Sequence, residues 1–514
     1  MSSPYLALPQ GVSAEQFGRA IAEFRTILGE EHVITDAAVL APYTKIMLPV
    51  ADAQHAPSAA ILPQDVEQIQ RIVAVCNRYR VPVWPISTGR NLGYGSAAPA
   101  TPGQVVLDLR RMNRILEVDP ELCTALVEPG VTYQQLYDYI QERNLPLWLS
   151  CPAPSAIAGP LGNTVDRGVG YTPYGEHFLF SCGMEVVLAD GQVLRTGMGS
   201  IPNSNTWQVF KWGYGPSLDG IFTQSNYGIV TKLGMWLMPA PPAYKPFVVR
   251  YPQRTDIERI VETIRPLRIA MIIPNAVVIA GVLWEAGVFV RRSDYYQGAG
   301  QIDEAAVARI MKEHDLGYWN VYAALYGTPE QIEVNWKIVE GAFKASGGEI
   351  LTENEVGHSP VFRYRADLMR GNMNLQEFGL YNWRGGGGSL WFAPVSQSRG
   401  SETLKQMEMA QRILKKHGLD YVGEFIVGWR DMHHIIDVLF DRTDPVQMQS
   451  AYACFDELLA EFTAAGYGNY RTNTAFMDKV ANTYGPVKRD VDRRLKRALD
   501  PNGIIAPGKS GIHI

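Results

Sequence analysis

The 514-residue chain is poor in cysteine. Its five cysteines (Cys76, Cys123, Cys151, Cys182 and Cys454) form an odd, widely spaced set without C-x-x-C or C-x-x-C-H. That spacing argues against a disulfide framework, a zinc knuckle and covalently attached c-type haem, and the five thiols read as small buried hydrophobes. No apolar run approaches the ~20 residues that cross a bilayer. Positive charge is not in excess: 47 Lys+Arg face 52 Asp+Glu, a net charge of −5, which disfavours a partner such as nucleic acid or an anionic membrane. The opening residues, MSSPYLALPQGVSAEQ, lack a basic n-region and an apolar h-region, so no signal peptide is expected in this chain. Internal repeats and low-complexity tracts are missing too. With 46% hydrophobic and 19% charged residues, the chain is globular rather than disordered, collagenous or coiled-coil. The expected ligand is small.

What is present alternates short helical and strand patterns. In PQDVEQIQRIVAVCNRY, 63–79, Val66, Ile69, Ile72, Val73 and Cys76 recur every three or four residues, with Asp65 as the N-cap. Strands are expected at 81–86, 104–109 and 123–128, and a helix opens at Thr132. MEVVLADGQVLRT, 184–196, predicts two strands about an Asp-Gly turn. A Pro cluster at 238–246 marks a boundary. Beyond it helices are expected at 254–267, 303–314, 330–345, 402–417 and 446–464, with strands at 319–325 and 423–427. The class is α+β with short elements, not a long βαβ series. The Gly/Pro-rich tail, PNGIIAPGKSGIHI, reads as a segment tied back onto the folded body.

Several stretches gather chemistry-bearing residues. ISTGRNLGYGSAAP, 86–99, follows a strand and packs Gly89, Gly93 and Gly95 among Ser87, Thr88, Arg90 and Asn91. Such a loop turns successive N–H groups into one concavity, a shape that binds phosphate oxygens. Its spacing is neither Walker A nor G-x-G-x-x-G, which disfavours a nucleoside triphosphate and a Rossmann fold. GNTVDRGVGYTPYGEHF, 162–178, makes neither helix nor strand, and so much irregular backbone needs something buried to satisfy its polar groups. A large planar cofactor with a diphosphate would do so. EFGLYNWRGGGGSLWFAPVS carries Glu377, Tyr381, Trp383 and Arg384, and EFIVGWRDMHHIID carries Glu424, Arg430, His433 and His434. Adjacent histidines diverge and rarely share an ion. His433 and Asp437 have helical spacing, but no metal is expected. Tyr470 and Arg471 stand side by side in YRTN.

Taken together, STGRNLGYGSAAP, VEPGVTYQQLYDYI, GNTVDRGVGYTPYGEHF, FTQSNYGIVTK, EFGLYNWRGGGGS, RDMHH and PNGIIAPGKSGI resemble the vanillyl-alcohol oxidase / p-cresol methylhydroxylase flavoprotein family over nearly the whole chain. The resemblance is strongest to its cytochrome-linked hydroxylase branch. It implies a two-part FAD-binding domain (1–242 and 468–514) and an α+β substrate-binding cap (243–467). It assigns FAD contacts to Ser87, Thr88, Gly89, Arg90, Asn91, Gly93, Gly162, Asn163, Asp166, Tyr171, Gly228, Ile229 and Lys509. It also implies an 8α-O-tyrosyl link from the flavin to Tyr381. Tyr94, Tyr470 and Arg471 match the family's phenolate clamp, and Glu377, Glu424 and His433 match the polar cluster that handles the proton of attacking water.

The implied reaction is benzylic hydroxylation of a 4-alkylphenol (p-cresol, 4-ethylphenol or eugenol type) through hydride transfer, a quinone methide and water addition. A c-type cytochrome subunit would take the electrons, in an α2β2 heterotetramer or beside a homodimer. The compartment is then periplasmic with the cytochrome, or cytoplasmic given no export signal. Two features depart from family patterns. Lys509 stands where the cytochrome-linked branch has Arg, and no Asp or Glu lies between Cys151 and Pro160, where oxidases place an Asp. Two alternatives stay open: an O2-using oxidase of the same scaffold, and a non-catalytic flavin- or phenol-binding protein.

Overall fold

The helix Val66–Tyr79 forms where the apolar spacing puts it. Asp65 Oδ1 accepts from Gln68 N at 2.8 Å, which satisfies one of the free first-turn amides. Its buried stripe (Ile69, Ile72, Val73, Val75, Cys76) packs on the first of three main sheets. This is a computed structural model, and it describes residues 5–153 and 156–514. The first four residues of the stretch read for an export signal, and 154–155 within the stretch lacking a carboxylate, lie outside the described residues. Strands β1 (Val33–Ile34), β2 (Ala59–Ile61), β3 (Val83–Ile86) and β4 (Val105–Asp108) make the first sheet in the order β1-β2-β4-β3, with β2 and β3 parallel to β4. The tail adds to its open edge. Val83 N donates to Ile504 O at 2.8 Å and Ala506 N to Val83 O at 2.7 Å. The buried Lys496 ammonium anchors the tail through Asn226 O, Ile505 O and Asp500.

Strands β5 (Ile115–Asp119), β6 (Thr124–Val127), β7 (Leu147–Trp148), β8 (Ser181–Val187), β9 (Val193–Arg195), β10 (Ile229–Trp236) and β11 (Met238–Pro239) follow. Five of them form an antiparallel sheet, β5-β6-β10-β8-β9, while β7 pairs with β11. The expected hairpin is β8–β9. Its turn ends on Gly191 at φ 86, a left-handed conformation that favours glycine. The expected helix after Thr132 runs Tyr133–Glu142.

Past the Pro cluster the chain builds a nine-stranded sheet from β12 (Ala243–Tyr251), β13 (Val277–Gly281), β14 (Trp319–Gly327), β15 (Glu349–Thr352), β16 (Gly388–Phe392), β17 (Pro394–Gln397), β18 (Gly423–Val427), β19 (Asp431–Phe440) and β20 (Gly468–Asn469). Its two faces feed different cores because side chains alternate along each strand. Phe247, Val277, Val321, Phe425, Ile436 and Val438 lie under the helices Ile257–Ile269, Pro329–Ala345, Gly400–Lys416 and Pro445–Ala464. Val278, Ala280, Tyr322, Ile426, Ile435 and Leu439 face the other core, shared with the β8–β10 sheet. Glu424, His433 and Asp437 fall on that second face by the same alternation. The functional residues of the large sheet therefore look toward the first half of the chain.

Three expectations change. His433 and Asp437 sit on β19, not on a helix, and four residues of strand separate them by roughly 13 Å, too far to share an ion. The stretch 162–178 is not wholly irregular, because 162–165 complete the short helix Pro160–Val165, with Pro160 at its first position. Four thiols are buried, but Cys123 is only half-buried.

Candidate active site

The glycine loop turns off β3 into one wall of a cleft with about 1160 Å³ of empty space. Gly89, Gly93 and Gly95 hold φ of 67°, 72° and 113°, and the loop folds on Asn91, whose carbonyl accepts from Tyr94 N and Ser96 N. The helix Pro160–Val165 forms the facing wall. A Cβ at Gly162 would come within 2.2 Å of Ser87 Oγ. The cleft is lined by Ser87, Thr88, Gly89, Arg90, Asn91, Gly162, Asn163, Gly228, Arg471 and Lys509 among others, and Asp166 is its one acid. Lys509 Nζ donates to Asp166 at 2.7 Å and Asn91 Nδ2 donates to its other oxygen at 3.1 Å. With that charge neutralised, Arg90 and Arg471 leave the cleft net positive, which suits an anionic dinucleotide. Thr474 Oγ1 lines it without a hydrogen-bond partner among the described residues. The residues present fit FAD. Gly162→Ala is expected to lower the bound-FAD content of purified protein severalfold, measured by absorbance, by pushing Ser87 away from the helix.

Arg471 lines this cleft beside a cluster of aromatic rings. Its guanidinium lies 4.2 Å from the Tyr94 ring centroid, and Nη2 donates to Asn91 Oδ1 at 2.8 Å. Tyr470, its neighbour in sequence, stacks on His433 at 4.3 Å and 13°. Burial drives the Tyr94 hydroxyl well above its ordinary pKa, and the nearby Arg471 charge opposes that. Tyr94 therefore remains a neutral phenol beside a fixed cation. Tyr381 lies on the short helix Gln376–Asn382. Its hydroxyl is raised by burial, then by Asp437, Glu377 and Tyr94. The following Trp383 and Arg384 pin the loop to buried Asp420, each donating at 3.0 Å. Arg384 therefore has a structural partner.

Buried carboxyls lie near Tyr381. Glu377 and Glu424 are both buried. Burial and then Glu424 push Glu377 up to about 8, while burial, opposed by Arg365, pushes Glu424 up to about 7. Asp437, which accepts from Ser389 Oγ at 2.7 Å, is pushed up to about 7 by burial. His433 Nε2 lies 3.3 Å from Asp431, and its Nδ1 is without a partner among the described residues. His434 faces the other core, stacked on Phe425 at 4.0 Å and lowered to about 3 by burial. Among the described residues no group of three or more His, Cys, Asp or Glu is placed to hold a metal.

Residues 57–197 match the model of an FAD binding domain, and 398–510 that of the FAD linked oxidases, C-terminal domain. The 4-cresol dehydrogenase [hydroxylating] flavoprotein subunit of Pseudomonas putida is 60% identical over 99% of this chain and 98% of that one. The chain belongs to the vanillyl-alcohol oxidase / p-cresol methylhydroxylase flavoprotein family. A crystal structure of p-cresol methylhydroxylase with substrate bound superposes with a TM-score of 0.98 at 60% identity, covering 99% of both chains. An isoeugenol complex of 4-ethylphenol oxidase from Gulosibacter chungangensis superposes with a TM-score of 0.96 at 39% identity, over 98% of this chain and 99% of that one. The family is one of FAD-dependent oxidoreductases, and this chain is one of them. Among the described residues no helix is long and apolar enough to cross a membrane.

Of the expected FAD contacts, Gly93, Tyr171 and Ile229 are not among the residues that line the cleft. Ile229 turns into the core of the first sheet, while Gly228 lines the cleft. Gly93 is covered by Trp391, whose ring a Cβ would meet at 2.6 Å. Tyr171 shares the electrostatic surroundings of Glu377 and Glu424 rather than lining the cleft. Sequence reasoning missed Glu285 and Arg365, which are buried with the carboxyl pair. A signal existed for both. Glu285 is the one charge in IAMIIPNAVVIAGVLWEAGVFV, 269–290, and Arg365 falls between Val361 and Leu368 on an apolar helix face.

Proposed function

We propose that this chain is the flavoprotein component of a 4-alkylphenol hydroxylase acting on substrates of the p-cresol, 4-ethylphenol or eugenol type, with Tyr381 as the covalent attachment point of its FAD. The observation that carries this reading is Arg471, which lines the FAD cleft 4.2 Å from the Tyr94 ring and follows a Tyr470 that stacks on His433. Ser87, Thr88, Asn91, Gly162 and Lys509 would hold the cofactor, which when bound supplies the hydride acceptor. Tyr94, Tyr470 and Arg471 bind the phenol oxygen and stabilise its negative charge. Ionisation pushes electron density toward the para substituent, a hydride leaves its benzylic carbon, and the substrate becomes a neutral quinone methide. Water adds at the benzylic carbon, the ring oxygen returns to the phenol form, and Glu377 takes the water's proton with Glu424 and His433 alongside. The balance is two electrons and two protons removed from alkylphenol plus water.

The FAD domain comprises 1–242 and 468–514 and the cap 243–467, a division that the tail's pairing with β3 supports. A separate c-type cytochrome is the acceptor, in an α2β2 assembly or with a homodimer, and that partner makes the periplasm the working compartment. Anaerobic mixing with p-cresol should bleach the flavin, and reoxidation should be faster with cytochrome c than with O2. Peroxide formation that matches substrate consumption would support the oxidase alternative instead. Failure of every para-alkylphenol to bleach the flavin would overturn the assignment.

The carboxyls set a pH dependence. Glu377, up at about 8, must be ionised to accept a proton, so hydroxylation is expected to rise with pH through roughly 7 to 8. Stability runs the other way. A carboxyl raised in the folded state contributes most below its unfolded value, near 4.5, and that contribution is lost as pH climbs through about 8. Thermal midpoints measured from pH 5 to 9 should fall across the interval where kcat rises, and Glu377→Gln should flatten both.

A further inference from the structure

Three buried carboxyls share one buried cation on the inner side of the large sheet. Glu285, Glu424, Glu377 and Arg365 are 0%, 2%, 3% and 2% exposed. Arg365 directs most of its fork at Glu285, with Nε and Nη2 donating to Oε1 at 3.1 and 2.6 Å. The same Nη2 reaches Glu424 Oε2 at 3.0 Å. The hydroxyls of Tyr322 and Tyr364 also donate to Glu285, each at 3.4 Å, and their rings lie 5.5 and 5.0 Å from the guanidinium carbon. Glu424 receives one of these donors, and Glu377 Oε2 has none among the described residues. Each donor favours the ionised form of the carboxyl it serves. Three negative charges around one guanidinium in a dry core are costly. The cluster therefore retains a proton, and it resides on the carboxyl with the fewest donors.

We propose that Glu285 is a positioning residue for the hydroxylation: by holding Arg365 it directs the cluster's proton to Glu377 and leaves Glu424 ionised. The inference rests on the reading of Glu377 and Glu424 as the proton-handling pair. The other titratable groups bearing on them are Asp437, Tyr171, Tyr364 and Tyr381, all neutral or acidic. Among the described residues Arg365 is the one cation acting on both, so whatever fixes its direction sets the order in which the two glutamates ionise. Burial pushes both carboxyls up and Arg365 opposes it at each, but only at Glu424 does Arg365 also donate a hydrogen bond.

The test uses the FAD-loaded full chain and two variants. Glu285→Gln keeps the volume of the side chain but removes its charge, which frees Arg365 for the other two carboxyls. The acid limb of the kcat–pH profile with p-cresol should move down by about one unit, with activity on the alkaline plateau changed less than threefold. Arg365→Lys keeps the charge but not the fork that bridges two carboxyls, and should move the limb up. The infrared C=O band of protonated carboxyls, titrated on the same samples, should shift with the limb and does not depend on turnover. A limb and band that stay put in Glu285→Gln overturn the inference. If Glu285→Gln fails to fold, Arg365→Lys decides, and a limb that is unmoved or lowered there is equally fatal. Glu377→Gln separates the two readings. Loss of the limb in Glu377→Gln with no movement in Glu285→Gln refutes the role of Glu285 alone, whereas a limb that survives Glu377→Gln refutes the proton-handling assignment itself.

Discussion

Tyr381→Phe is expected to carry no covalent flavin. The substitution removes one oxygen and keeps the ring that packs near Phe378, 6.0 Å away, so folding and the noncovalent FAD cleft should survive. Acid precipitation should then leave the yellow colour in the supernatant, whereas wild-type protein keeps it in the pellet and on the peptide containing Tyr381. The effect is all-or-none because a phenyl ring has no nucleophile to bond to the flavin 8α-methyl. Tyr381 is half-buried, and burial of its hydroxyl, Asp437, Glu377 and Tyr94 all disfavour its ionisation. Attachment therefore has to proceed from a site that already holds the cofactor in place, and Tyr381→Phe should still bind FAD reversibly. Flavin that stays on the pellet in this variant would remove Tyr381 as the attachment point.

The second large effect is at Arg471. Arg471→Ala should lower kcat/KM for p-cresol by about a hundred- to a thousandfold, or roughly 3–4 kcal/mol of transition-state stabilisation, the scale of removing one preorganised donor from a developing oxyanion. The guanidinium is half-buried, lies 4.2 Å from the Tyr94 ring and donates to Asn91. Its loss removes the permanent charge that favours phenolate over phenol. Arg471→Lys should recover part of the rate, because charge returns without the planar fork. Both are measured per bound flavin, since Arg471 also lines the FAD cleft. An unchanged kcat/KM in Arg471→Ala would take it out of the clamp. Glu377→Gln should behave differently, sparing flavin reduction and slowing the water addition that forms the hydroxylated product.

Local patterns were legible where local physics decides them. Asp65 and Thr132 cap their helices because short polar side chains reach free amides. The Asp-Gly turn makes its hairpin because glycine accepts positive φ. The five helices expected beyond the Pro cluster all form. MHHIID was less legible, since its residues fit a helix or a strand equally and pairing with β17 and β18 settles the matter. Tyr171 and Ile229 were placed by motif alone, and motif does not say which way a side chain turns.

The sequence alone determined the motif inventory: a glycine loop after β3, a Tyr-Arg pair near the end, two Glu-Phe stretches and a tail built to return. Those are written in adjacent residues, and adjacency is what sequence records directly. Only tertiary structure decided that Tyr470, beside Arg471, stacks on His433 of β19, that Glu377 lies with Glu424 of β18, and that Glu285 and Arg365 belong with that carboxyl pair. Arg365 and Glu424 are 59 residues apart, yet 3.0 Å separates their side chains. Which buried charges share a cation depends on how sheet faces pack, a long-range outcome that no local spacing encodes.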